Sequence, residues 1–184
     1  MPSLFMVSFL LSLRLPYHVK SLDPTRLVIG NDGWEMTKTD ICAIHHYDHG
    51  EEEETQKQER FRESLRTLEN ILHAVPAGRQ VYAEGFSYEG EPVMLTEFGG
   101  VSFRKEAENE WGYTSVKTGE EFVNVYARLL SVIQDSEVLS GYCYTQLTDV
   151  EQEVNGLLTA DRIPKVEVET IREINLGIEK YLLQ

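Results

Sequence analysis

Short apolar runs that end in polar clusters recur along the chain. Leu27-Val28-Ile29 precedes Gly30, Asn31, Asp32 and Trp34, and Ile41 to Ile44 precedes His45, His46, Tyr47, Asp48 and His49. Val93-Met94-Leu95 precedes Thr96 and Glu97, and Tyr142-Cys143-Tyr144 precedes Gln146 and Asp149. Continuous apolar runs bounded by turn residues predict strands buried on both faces. Between them the apolar spacing changes to three and four. Phe61, Leu65, Leu68, Ile71, Leu72 and Val75 predict one amphipathic helix after the acidic run Glu51 to Glu54, and Phe122, Val125, Tyr126, Leu129, Leu130 and Ile133 predict another after Gly119. The tail from Lys165 to Leu183, with Val168, Ile171, Ile174 and Ile178, predicts a last helix. Leu4 to Leu13 has the look of a signal-peptide core, but no basic segment precedes it and no small-residue cleavage site follows, so it reads as a core-facing helix. It is also too short to span a bilayer.

Buried strands alternating with helices mean parallel β/α units, because parallel strands need long crossovers and are covered on both faces. The fold class is therefore α/β. In such folds chemistry gathers at the C-terminal ends of the strands, where all four polar clusters fall. Four strand exits then share one mouth. Four strands are half of an eight-stranded barrel, which usually takes about 250 residues. The pattern accordingly reads as a partial (β/α)8 TIM barrel.

Composition narrows the partners. The 184 residues, 41% hydrophobic, suffice for a single core. Thirty-one acidic against 17 basic residues give a net charge of −14, which repels polyanions, so nucleic acid and anionic membranes are excluded as expected partners. The two cysteines, Cys42 and Cys143, both sit in apolar runs and read as buried free thiols in a reducing, cytoplasmic setting.

The candidate chemistry starts at "PVMLTEFGGVSF", Pro92 to Phe103, where one carboxylate, Glu97, ends a buried run and two glycines follow. The carboxylate fits a helix cap, a salt bridge or a catalytic group. Gly99 and Gly100 favour catalysis on the view that they clear space beside it. In "HHYDH", alternation sends His45, Tyr47 and His49 one way and His46 and Asp48 the other. Hydrogen-bonding of His45 and Tyr47 into the mouth is the first reading, and a metal-dependent hydrolase using the His45 to His49 cluster is the alternative. Trp34, Tyr47, Trp111, Tyr142 and Tyr144 lie at or just after strand exits, placed to stack on the apolar face of a sugar, with core packing the competing role for the tyrosines. Phosphate-binding loops, a nucleophilic-serine elbow and paired cysteines are absent from the sequence, and no cofactor is implied.

Four stretches, "LDPTRLVIGNDGWE", "TDICAIHHYD", "PVMLTEFGG" and "SGYCYTQLTDVEQEVNGLL", together resemble glycoside hydrolase family 2, the β-galactosidases, β-glucuronidases and β-mannosidases. The resemblance runs over roughly residues 10 to 165 and is most specific at "TEFGG". It implies that residues 1 to 184 are the C-terminal half of the catalytic barrel, about strands 5 to 8 with their helices, without strands 1 to 4 or the N-terminal β-sandwich domains. It implies hydrolysis of β-glycosides by a retaining double displacement with Glu97 as nucleophile and Tyr47 as its orienting partner. His45, Asn31, Asp32, Trp34, Trp111, Tyr144 and Gln146 become the expected substrate-binding positions, Tyr144 standing where many members carry tryptophan.

Retaining hydrolysis takes two carboxyl groups about 5 to 5.5 Å apart. In the family the acid/base is a glutamate after an asparagine at the end of strand four. The chain's one Asn-Glu pair, Asn109-Glu110, follows the nucleophile strand, so the resemblance implies that the sequence starts downstream of the acid/base. The chain alone is then expected to be inactive, and its open barrel edges to associate with another chain.

Overall fold

A computed structural model describes residues 4–50, 54–103 and 114–178. The chain opens with helix α1 (Leu4–Leu22), followed by strand β1 (Cys42–His46), helices α2 (Thr55–Ser64) and α3 (Leu68–His73), and strand β2 (Val93–Gly99). Short strands β3 (Val101–Phe103) and β4 (Thr114–Val116), helix α4 (Gly119–Gln134), strand β5 (Leu139–Thr145) and helix α5 (Val168–Asn175) complete it. β1, β2 and β5 form one parallel sheet with β2 central, and β3 pairs with β4 in a second, two-stranded parallel sheet. Helices and turns cross between the parallel strands, as the long connections of a parallel sheet demand.

The first expected strand is not formed. Leu27 is 70% exposed. The backbone of Val28 is already taken: its N–H donates to Asp40 Oδ2 at 2.7 Å, and its carbonyl accepts from Asp40 N at 2.9 Å. Those are the groups a ladder beside β1 would require, so residues 27–40 form a loop fastened to itself. Three strands, rather than four, make the main sheet.

The helical expectations fare differently along the chain. α4 covers the periodic residues and buries Phe122, Tyr126, Leu129, Leu130 and Ile133. Its start is fixed by Thr118, whose side chain accepts from Glu121 N at 3.1 Å, while Glu121 Oε2 accepts from Lys117 N at 2.7 Å. The stretch from Phe61 to Val75 is two helices instead of one. Thr67 is extended and accepts from Asn70 N at 3.1 Å, so it starts α3 afresh three residues after α2 ends. The last helix stops at Asn175, with Gly177 at φ +68° just beyond it.

The core lies between the sheet and its helices. Val93, Leu95 and Phe98 of β2 share one buried cluster with Tyr126 and Leu129 of α4, and Phe61 and Ile71 join it from the crossover between β1 and β2. Ile174 of α5 closes the far side, and Tyr126 Oη donates to Asn175 Oδ1 at 2.9 Å. The core-facing expectation for Leu4 to Leu13 falls on side chains that, up to residue 12, lie outside those described; further along α1, Leu15, Tyr17 and Leu22 are exposed. α1 is tied to the loop by Lys20, 2.7 Å from Asp40 Oδ2. No helix among the described residues is long and apolar enough to cross a membrane.

Candidate active site

Strand β2 is irregular at Thr96 and Glu97. Val93 and Leu95 are buried two residues apart, yet the next buried side chain, Phe98, comes three further on. Opposite this step Ile44 pairs with Leu95 and His45 with Glu97, so β2 carries one residue more than β1. Bulges of this kind redirect side chains next to active sites. Here the bulge turns both Thr96 and Glu97 away from the helix-covered core.

Glu97 consequently stands at the exits of two adjacent strands. Tyr47 Oη donates to Glu97 Oε2 at 2.7 Å, and His45 Nδ1 lies 3.3 Å from the same oxygen. The other ring nitrogen, His45 Nε2, lies 3.3 Å from Asp32 Oδ1. Asp32 also accepts from Thr96 Oγ1 at 2.6 Å. Its carboxyl is held below the usual aspartate range, chiefly by His45 and further by Thr96, against the opposing effect of partial burial. The side chain of His45 is only 11% exposed, whereas those of Asp32 and Glu97 are 49% and 41% exposed. The result is an enclosed imidazole between two accessible carboxylates.

The loop builds this arrangement through Gly33 and Trp34. A Cβ on Gly33, which has φ +93°, would sit 2.6 Å from the His45 ring, so glycine lets the loop close over the imidazole. Trp34 meets the same ring edge-on, with centroids 5.2 Å apart, and Asn31 Nδ2 donates to the Trp34 carbonyl at 2.6 Å. Arg79 lies over the outer face of Trp34, 5.8 Å from the ring centroid, and pairs with Glu35 at 2.8 Å.

Of the residues singled out in the sequence, Glu97, Tyr47, His45 and Asp32 come together, with Trp34 behind His45 and Asn31 shaping the turn. Trp111 lies outside the described residues. Gln146 turns elsewhere: its Nε2 donates to Asn155 Oδ1 at 2.8 Å within the loop after β5. Tyr144 requires a correction as a sugar platform. Its ring packs on Phe98 and Tyr126, at centroid distances of 5.6 and 5.2 Å, on the side of the sheet covered by α4. Its hydroxyl accepts from Val101 N at 3.2 Å, and burial pushes its pKa upward.

The glycine pair also has another cause than cleared substrate space. A Cβ on Gly99, at φ +90°, would collide with the Tyr144 ring. Gly100, at φ +62°, donates its N–H to the Thr145 carbonyl at 2.9 Å. Both glycines therefore serve the junction of β2 with β5.

The histidine cluster disperses. β1 ends at His46, so strand alternation no longer governs Tyr47 to His49. His46 Nε2 lies 3.0 Å from Ser64 Oγ, and the buried His49 donates from Nε2 to the Gly99 carbonyl at 2.7 Å. Both rings flank Phe61 edge-on. Burial pushes His46 down to about 4 and lowers His49 too, which favours neutral rings. Among the described residues no three His, Cys, Asp or Glu side chains converge as metal ligands, contrary to the metal-hydrolase alternative. Cys143 likewise corrects the expectation of two buried thiols, because β5 leaves it exposed at the sheet's edge.

Thr96 and Gly33 were missed by sequence reasoning. The signal for Thr96 was present in the spacing of Val93, Leu95 and Phe98, which breaks the period of two next to the carboxylate.

No family model matches the sequence, and no curated protein matches it. Solved structures do. The β-D-glucuronidase of Dictyoglomus thermophilum aligns at a TM-score of 0.55 and 18% identity, over 93% of this chain and 28% of that one. The β-glucuronidase of Bifidobacterium dentium, solved with coumarin-3-O-glucuronide, aligns at 0.50 and 22%, over 77% of this chain and 21% of that one. A GH2 β-galacturonidase of Eisenbergiella tayi bound to glycerol aligns at 0.50 and 16%, over 87% and 28%. The chain thus spans under a third of these proteins' length, and at such identities the likeness is one of fold. It is the mixed α/β fold, with its small parallel sheet, of a part of these glycosidases.

Proposed function

We propose that the chain is the nucleophile-bearing part of a retaining β-glycosidase of the family 2 type, corresponding to the C-terminal half of its catalytic barrel. The observation that carries this reading is the 2.7 Å bond from Tyr47 to Glu97 at the exits of neighbouring parallel strands. A carboxylate there is fixed by a donor yet open to a substrate, as a nucleophile must be. Glu97 attacks the anomeric carbon, the bond to the leaving oxygen breaks with its electron pair going to that oxygen, and a glycosyl ester forms. Water then hydrolyses the ester. The double displacement needs no cofactor.

The leaving oxygen takes its proton from a second carboxyl. Asp32 is unsuited, since a general acid needs a raised pKa and the contacts with His45 and Thr96 lower that of Asp32. We therefore do not assign the acid to Asp32, and we expect negligible turnover of unactivated glycosides by the 184 residues alone. The test is an activated 2-deoxy-2-fluoro β-glycoside of glucose or galactose with a dinitrophenolate leaving group, which departs without a proton. Mass spectrometry of the digested protein should place the sugar on Glu97. Label on another residue, or none, would sink the assignment.

A second reading concerns assembly and rests on β5. It is an edge strand of the described sheet whose seven residues are all at least partly exposed. Such an edge invites pairing, here with a chain that completes the barrel. Sedimentation should show association at high concentration, and a monomer throughout would count against it.

A further inference from the structure

We propose that Asp32 is a positioning residue for Glu97: fastened by Thr96, it aims the His45 ring so that Nδ1 meets Glu97 Oε2 and Oε1 is left to attack. This rests on the glycosidase reading and adds to it the atom that reacts and the residue that selects it.

The argument begins with the two contacts of Glu97. Tyr47 and His45 both approach Oε2. An oxygen that already accepts from Tyr47 and faces the His45 ring at 3.3 Å is the poorer nucleophile, because its lone pairs are engaged. Attack then falls to the other oxygen. The selection depends on which ring nitrogen of His45 faces Glu97, and that is set by the partner of the opposite nitrogen. The group facing that nitrogen is Asp32, whose Oδ1 lies 3.3 Å from the buried Nε2 as an ion-pair neighbour short of hydrogen-bond geometry.

Asp32 is itself held by an element it does not belong to. It lies on the 27–40 loop, while Thr96, whose hydroxyl reaches it at 2.6 Å, belongs to the same bulge as Glu97. The bulge therefore contributes both the carboxylate and the clamp that orients it. Gly33 and Trp34 confine the ring from the loop side. The titratable groups facing the ring are Asp32 from the loop, Glu97 from β2 and Tyr47 from its own strand exit.

Two measurements on the chain test this. In the first, the Asp32 carboxyl is titrated by carbon NMR in the wild type, H45Q and T96V. The midpoint should lie below the usual aspartate range in the wild type and rise in both variants, more in H45Q. An unmoved midpoint in H45Q would overturn the pairing. In the second, the fluoroglycoside of the preceding section is used at saturating concentration. D32N should lower the saturated rate of labelling at Glu97 at least about tenfold, with less than about a twofold change in half-saturating concentration, the loss expected of an interaction made in the transition state. T96V should move in the same direction, and D32E should recover part of the rate. Labelling of D32N at the wild-type rate would overturn the role of Asp32 alone. Absence of label on Glu97 in the wild type would overturn the glycosidase reading on which it rests.

Discussion

The ring of Tyr144 occupies the volume that a side chain at Gly99 would need. Two strands are thereby locked side by side, for the glycine lies on β2 and the tyrosine on β5. G99A should cost about 2 to 5 kcal/mol, combining a strained positive φ with overpacking. In a Y144A background the collision is gone, leaving about 1 to 3 kcal/mol of backbone strain. A double-mutant cycle by urea unfolding reads the difference, and simple additivity would remove the contact from the explanation.

Y47F should leave the fold intact while weakening the site. The lost hydrogen bond goes to a charged group, where such bonds contribute about 1.5 to 3 kcal/mol. That corresponds to roughly a 10- to 150-fold drop in the rate of fluoroglycoside labelling at Glu97. Urea midpoints of variant and wild type should agree, so that a fall in both quantities would point to damaged structure instead.

Acid should destabilise the chain through its two enclosed histidines. His46 is pushed down to about 4 by burial, and His49 is lowered for the same first reason. Between the unfolded value of about 6.5 and the folded one, the unfolded chain binds protons that the folded chain refuses. The stabilisation is therefore complete above about pH 6.5 and fades as pH falls toward 4, with roughly 2 kcal/mol for His46 lost between pH 7 and 5. Urea unfolding at those two pH values should show a smaller loss in H46Q than in the wild type. Equal losses would place the acid sensitivity elsewhere.

The thiols should separate cleanly. Cys42 is fully buried and pushed up to about 11 by burial, while Cys143 is exposed on β5. A thiol reagent near pH 8 should modify one cysteine quickly and the second only after unfolding. C143S should abolish the fast phase.

What the sequence discloses follows from what its signals measure. The helix α4 is readable because eight of its side chains are buried at helical spacing and Thr118 marks its start. The break between α2 and α3 is carried by one residue, Thr67, inside an unbroken apolar period, so the period hides in the sequence a cap that prevails in the fold. Leu27-Val28-Ile29 fails as a strand because a side chain eleven or more residues away, Asp40, captures its backbone, and apolar content does not record that. Tyr144 fails as a platform because its position in chain order says nothing about which sheet face it takes. The meeting of Glu97, Tyr47 and His45 is legible as a neighbourhood of strand exits. Its inner wiring through Asp32, Thr96 and Gly33 is not, since it depends on a loop closing over β1 and on one irregular step in β2.

That step also separates the requirements of the sheet from those of the site. With Thr96 removed, Leu95 and Glu97 would become consecutive opposite Ile44 and His45, and strict alternation would still turn the carboxylate outward and Phe98 inward. The strand could shed this residue and keep its core. What it would lose is the hydroxyl that reaches Asp32, so the 27–40 loop would keep its own fastening at Asp40 but be unmoored from β2. A single-codon deletion at Thr96 would thus uncouple the loop from the strand that carries Glu97 while the alternation of the sheet is kept.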